Sequence, residues 1–238
     1  MMGVNVNKFF KIILPAAALS LSVGGANAAD LLFDHPQPAM PYAAGFDWSG
    51  FYAGIFAGYG AGGATSTGVA TGSVSPVDVE GLLLGGTLGA NAQFGSFVLG
   101  LEGDLAWSGV EGSATCAGAP AFDCNGSLDW LGTGKARAGV AFDRLLLFGT
   151  AGLAFGGITA STTPAAPGAT GTFSSTIWGW TAGAGVEVAV TEAMSVKAEY
   201  AYHDFASVRA PVNTIANLGA TDIKSHAHSV KLGLNYRF

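Results

Sequence analysis

From Gly50 to Phe238, apolar side chains recur at every second position in eight stretches of about ten residues, the length of a tilted strand that crosses a bilayer. The first, 50–60, places Phe51, Ala53, Ile55, Ala57 and Tyr59 on one face. The second, 82–94, sets Leu82, Leu84, Leu88, Ala90, Ala92 and Phe94 against Thr87, Asn91 and Gln93. The third, 97–108, and the fourth, 128–140, oppose Leu99, Leu101, Leu105, Trp107, Trp130, Ala136 and Ala138 to Glu102, Asp104, Thr133, Lys135 and Arg137. Leu145, Leu147, Ala151, Leu153 and Phe155 share a face of the fifth; in the sixth, Trp178, Trp180, Ala182, Val186 and Val188 stand opposite Thr181 and Glu187. The seventh alternates Met194, Val196, Ala198, Tyr200 and Tyr202 with Ser195, Lys197 and Glu199. The eighth, beginning near Ser225, ends as Val230, Leu232, Leu234, Tyr236 and Phe238 against Ser229, Lys231, Asn235 and Arg237. Helical spacing fits none of these runs, and glycine at this density costs a helix about 1 kcal/mol per residue.

The connections alternate as well. Gly95-Ser96, Asp143-Arg144 and 191–193 read as tight turns, whereas 61–80, 109–127, 157–175 and 206–224 read as long loops rich in Gly, Ser, Thr, Ala, Pro and Asn. Short turns on one rim and long loops on the other, with an even strand count, predict an all-β, eight-stranded antiparallel up-and-down transmembrane β-barrel. A last strand ending on aromatic Phe238 is expected to pair with the first and remove both sheet edges.

Alternation alone also describes a soluble barrel with its apolar face inward. Charge separates the two. The polar faces carry nine ionisable groups: Glu102, Asp104, Lys135, Arg137, Glu187, Lys197, Glu199, Lys231 and Arg237. Nine charges can fill a narrow lumen as a salt-bridge network but cannot clothe the outer wall of a soluble barrel. Mean hydropathy is +0.42 without any continuous apolar span beyond the N-terminus, as expected of lipid contact spread over alternating strands.

The N-terminus predicts export. Lys8 and Lys11 flank the start of an apolar run, Phe9 to Val23, followed by the cleavage pattern Ala26-Asn27-Ala28. The expected organisation is a signal peptide at 1–28, a proline-containing periplasmic segment at 29–47 and a barrel at 48–238. Beyond the leader, eight basic residues face sixteen acidic ones, so no basic stripe exists for a nucleic acid.

The stretches "WSGFYAGIFAGYG" at 48–60, "WLGTGKARAGVAFDRLLLFGTAGLAFG" at 130–156, "GWTAGAGVEVAVTEAMSVKAEYAYHDF" at 179–205 and the terminal "KLGLNYRF" resemble the small outer-membrane β-barrel proteins of alphaproteobacteria, which include surface antigens, haemin-binding proteins and porin-family proteins. The resemblance implies an OmpA-like eight-stranded barrel in the cell outer membrane, in contact with lipid and lipopolysaccharide. It also implies insertion by the assembly machinery that reads Leu234, Tyr236 and Phe238 on the terminal strand. A non-enzymatic structural and surface-interaction role is the expectation; a small porin and a haemin-binding receptor are the alternatives.

Residues with candidate chemistry are few. Gly58–Gly63 matches a G-x-G-x-x-G fingerprint, but no amphipathic helix follows and glycine is abundant throughout. Cys116 and Cys124 are the only cysteines, and in an exported chain their spacing reads as a loop disulfide. His203, His226 and His228 fall toward the long-loop rim, with His226 and His228 on one face as a weak haem contact; His35 lies in the N-terminal segment. Ser225 and Ser229 adjoin these histidines, yet no base and orienter mark an activated nucleophile. No catalytic residue, metal site or cofactor is expected.

Overall fold

The computed structural model describes residues 45–69, 72, 74–116, 122–164, 171–210 and 220–238. The expected signal peptide and most of the segment that follows it, His35 included, lie outside the described residues. The strands are β1 (Gly50–Gly68), β2 (Val74–Phe94), β3 (Phe97–Thr115), β4 (Phe122–Phe142), β5 (Leu145–Pro164), β6 (Gly171–Ala189), β7 (Met194–Phe205), β8 (Val208–Ala210) and β9 (Thr221–Arg237). Each pairs antiparallel with its chain neighbour up to β7, which pairs with β9, and β9 returns to β1 in the register Ile55↔Leu234. The sheet therefore closes, and the last strand has both its edges covered. The short β8 pairs with the upper part of β9 and follows β7 after a break at Ala206-Ser207. It prolongs β7's column around a barrel of eight.

The tight turns form where expected. Gly95 and Asp143 both adopt positive φ, 63° and 52°, the left-handed conformation that Gly and Asp tolerate best in short hairpins. The long connections differ from expectation. Much of 61–80, 109–127, 157–175 and 206–224 is strand, so β1 to β6 run for 19 to 21 residues instead of about ten. The eighth segment likewise starts at Thr221, earlier than Ser225.

Outward-facing apolar side chains form a continuous belt: Ile55, Leu84, Leu88, Leu99, Leu101, Leu105, Leu153, Val186, Val196, Leu232 and Leu234 are all exposed on the outer wall. Aromatic rings border it at both levels. Phe51, Phe94, Phe97, Phe142, Tyr236 and Phe238 lie at the turn side, and Tyr59, Trp107, Trp178, Trp180 and Tyr200 at the loop side. From Phe51 up to Tyr59 the chain climbs about 20 Å at the usual strand tilt, close to the height of a hydrocarbon band. Among the described residues no helix is long and apolar enough to cross a membrane.

Candidate functional site

The interior is filled in layers, which β5 reads in order. Its inward residues are Leu146 and Phe148, then Thr150, then Ala154 and Ile158. On β3 the same sequence is Val98, then Glu102 and Asp104, then Ala106 and Val110. Apolar layers thus stand above and below a charged middle.

The middle layer contains four acids and four bases: Glu102, Asp104, Glu187 and Glu199 with Lys135, Arg137, Lys197 and Lys231, all buried. Glu102 is a hub, contacting the ammonium groups of Lys135 at 3.0 Å and Lys197 at 2.7 Å and accepting a 2.6 Å hydrogen bond from the Tyr52 hydroxyl. Asp104 accepts from Lys135 at 2.9 Å and from Lys231 at 2.6 Å, and Glu199 from Lys135 at 2.7 Å. Glu187 accepts from Arg137, from the Ser195 hydroxyl at 2.5 Å and from the Asn235 amide at 2.8 Å. The Arg137 guanidinium also lies 3.9 Å from the centre of the Phe148 ring. Equal numbers of opposite charges, hydrogen-bonded and shielded from solvent, are the condition under which buried ions persist.

Charged neighbours on adjacent strands pair with each other only in part. Glu102 and Lys135 are register partners and do meet. Glu187 and Lys197 are register partners too, yet Lys197 reaches across the lumen to Glu102 while Glu187 takes Arg137. Long Lys and Arg chains in a cylinder about eight strands around bridge its diameter as readily as its wall. Arg237 stands apart. It donates to the carbonyl oxygens of Asp47 at 2.6 Å and Glu192 at 2.9 Å on the turn-side rim, so eight of the nine expected charges form the layer.

Sequence reasoning placed Thr133, Ser195 and Asn235 on the polar faces without assigning them to the network, and it missed Tyr52 and Thr150. Tyr52 had a legible signal, since it is the one aromatic of 51–59 besides Phe56 with polar-face parity. Glycine makes room for these side chains: a Cβ at Gly89 would collide with the Tyr52 hydroxyl, and one at Gly54 would collide with Asn235 Oδ1. Also unforeseen are the apolar layers. The loop-side one comprises Leu83, Val110, Leu131, Ala154, Ile177 and Phe205.

The carboxylates of Glu102, Asp104 and Glu199 lie close enough together to hold a cation. The Lys135 ammonium already contacts all three at 3.0, 2.9 and 2.7 Å, so the position a metal would take is filled by a side chain.

The histidines separate. His203 points inward, buried between the charged and loop-side layers, with Nε2 3.0 Å from Ser229 Oγ. His226 and His228 face outward in a surface cluster, where His228 Nδ1 is 2.7 Å from the Tyr200 hydroxyl and the two imidazoles meet edge-on at 6.3 Å. Cys116, at the end of β3, is bonded to Cys124 on β4, with Cα atoms 5.2 Å apart. Leu234, Tyr236 and Phe238 are on the outer face, and the Phe238 N–H donates to the Phe51 carbonyl at 3.0 Å. Outside the membrane belt, Arg209 on β8 clasps Asp222 on β9 with bonds of 2.7 and 3.0 Å, which hold that carboxyl below its usual range.

Residues 16–238 match the outer membrane protein β-barrel domain family. The 31 kDa outer-membrane immunogenic protein of Brucella melitensis is 34% identical over 248 residues, covering 96% of this chain and 100% of that protein. The 25 kDa outer-membrane immunogenic protein of Brucella canis is 28% identical, covering 95% and 97%. A 22 kDa outer membrane protein of Rhizobium leguminosarum bv. viciae is 33% identical over 63% of each chain. Among solved structures, the outer membrane protein OprG of Pseudomonas aeruginosa superposes with a TM-score of 0.49 at 14% identity, covering 82% of this chain and 98% of its own.

Proposed function

This chain belongs to the outer-membrane protein β-barrel family and resides in the outer membrane, and from that premise we propose that it is a sealed, non-enzymatic barrel with a structural and surface-interaction role. The observation that carries this reading is the filled lumen. Four acids and four bases neutralise one another in the middle, and apolar side chains occupy the levels above and below. A column of water needs a continuous polar path, and an eight-stranded barrel has an interior just wide enough for its own side chains. This packing of the described residues favours a sealed barrel over a porin.

What the cell gains is an embedded wall element whose rim faces outward. Two relatives are named outer-membrane immunogenic proteins, and we assign surface exposure to the loop-side rim of this one. Lipid and lipopolysaccharide at the outer belt, and the assembly machinery at the Leu234–Tyr236–Phe238 face of β9, are the partners this reading calls for. The test is planar-bilayer recording with the purified, refolded full chain. Silence is expected, with a gain of leak on truncating Arg137 to alanine, whereas steady channels from the unmodified protein would overturn the reading and favour the porin.

A further inference from the structure

The two apolar layers are built differently. Among the described residues, every large member of the loop-side layer sits on a strand and cannot leave without unzipping the ladder. The turn-side layer contains Val98, Ala141, Leu146, Phe148 and Ala189 from the wall, but two of its three rings, Phe46 and Trp48, come from the segment ahead of β1. That segment, Gly45–Ser49, carries both rings inside: Phe46 is 6% and Trp48 2% exposed, packed edge-on at 5.0 Å.

A small set of polar contacts holds it. The Phe46 N–H donates to Asp143 Oδ1 at 2.9 Å, the Trp48 N–H to Gln93 Oε1 at 2.7 Å, and the indole N–H to the Asp143 carbonyl at 3.0 Å. Within the segment, the Asp47 carboxylate accepts the Ser49 N–H, which holds Asp47 below its usual carboxylate range. Arg237, from the end of the last strand, bonds the Asp47 carbonyl and lays its guanidinium 4.2 Å from the centre of the Phe46 ring. Phe148 belongs to the same cluster and its ring also lies 3.9 Å from the Arg137 guanidinium of the charged layer.

We propose that Gly45–Ser49 is a detachable stopper: its withdrawal admits water and small solutes from the turn side to the charged chamber while the strand ladder stays intact. The physical basis is the difference in what must break. Releasing the rings costs side-chain contacts and a few hydrogen bonds at the rim, whereas opening the loop side costs ladder pairing of whole strands. Arg237 is the positioning residue, because it fastens the stopper to the closing strand without entering the charged layer. This inference rests on the reading of the lumen as filled.

The chain's only two cysteines are bonded to each other, so a Thr150→Cys substitution, next to Glu199, creates one free thiol inside the chamber. The measurement is its labelling rate with a small methanethiosulfonate in the refolded full chain, against Glu192→Cys on the exposed turn-side bend. In the otherwise unchanged barrel, the thiol introduced by Thr150→Cys should react at least ~100-fold more slowly than the exposed control. Adding Trp48→Ala should raise its rate at least ~10-fold, and Trp48→Phe should restore most of the protection. Protease resistance and heat-modifiable gel migration report that the barrel is intact. If Trp48→Ala fails to fold, Arg237→Ala frees the segment without cutting the rings, and its rate must rise in the same direction. Rapid labelling before any release, or unchanged labelling in a folded released variant, overturns the stopper. Bilayer conductance is scored separately: a conducting parent protein defeats the filled-lumen reading, while a silent one whose chamber thiol never responds defeats only the stopper.

Discussion

At mid-height, below the loop-side aromatic girdle, the wall is apolar outside and charged inside; above the girdle the arrangement inverts. On β2, Leu84 and Leu88 face out and Thr87 faces in, but farther up Asp78 and Glu80 face out while Val77 and Val79 face in. β3 passes from outward Leu101 and Trp107 to outward Glu111 and Ser113, with Val110 turned inward. β6 changes between Trp178, which is outside, and Ile177, which is inside. The β1–β2 and β5–β6 ladders run straight through, while register shifts at Trp107/Val110 on β3 and Leu128/Trp130 on β4 fall beside the girdle. The solvent changes, from hydrocarbon to water, and the apolar side chains move to whichever face is then driest. One strand therefore obeys two opposite rules along its length.

The largest test of this contrast lies inside. Replacing Lys135 with Met strands Glu102, Asp104 and Glu199 without their shared cation, and should destabilise the barrel by about 3–5 kcal/mol or prevent refolding. Thr162→Val, at an inward position in the upper region, should cost far less. Denaturant titration followed by tryptophan fluorescence would compare them, and equal effects would remove the distinction between the two interiors.

Next is the outer face. Leu101→Arg, in the middle of the belt, should cost about 2–4 kcal/mol and deplete membrane-inserted barrel. Ser113→Arg, on the same face of the same strand above the girdle, should insert normally. Equal insertion of both variants, read by protease protection, would contradict the inversion.

The disulfide belongs to the upper region alone. Closing the short loop between Cys116 and Cys124 is worth about 2–3 kcal/mol by chain entropy, so reduction should loosen the rim and leave the belt folded. Denatured, unreduced protein should show no free thiol, and stoichiometric labelling would rule the bond out.

The smallest effect is at the exposed Arg209–Asp222 clasp. A carboxyl held below its usual range contributes stability above that range and loses it as pH falls through the lowered value. Arg209→Ala should therefore match the parent in strong acid and differ from it at neutral pH by an amount barely resolvable in a melting curve.

The residues themselves determined the strand type, the tight turns, the lipid-facing belt and the identity of the buried charges, because each follows from local alternation read with one solvent rule. The same rule failed in two places. Stretches such as 61–80 and 157–175 read as loops because their strands carry Ser, Thr, Gly and acids outward, where lipid-facing strands would carry Leu. Phe46 and Trp48 lie before the first ladder residue, where periodicity has nothing to say. Tertiary structure alone decided which charge meets which. Lys197 and Glu102 are far apart in sequence and not on neighbouring strands, and they touch because closure of the barrel brings opposite walls within reach of one long side chain.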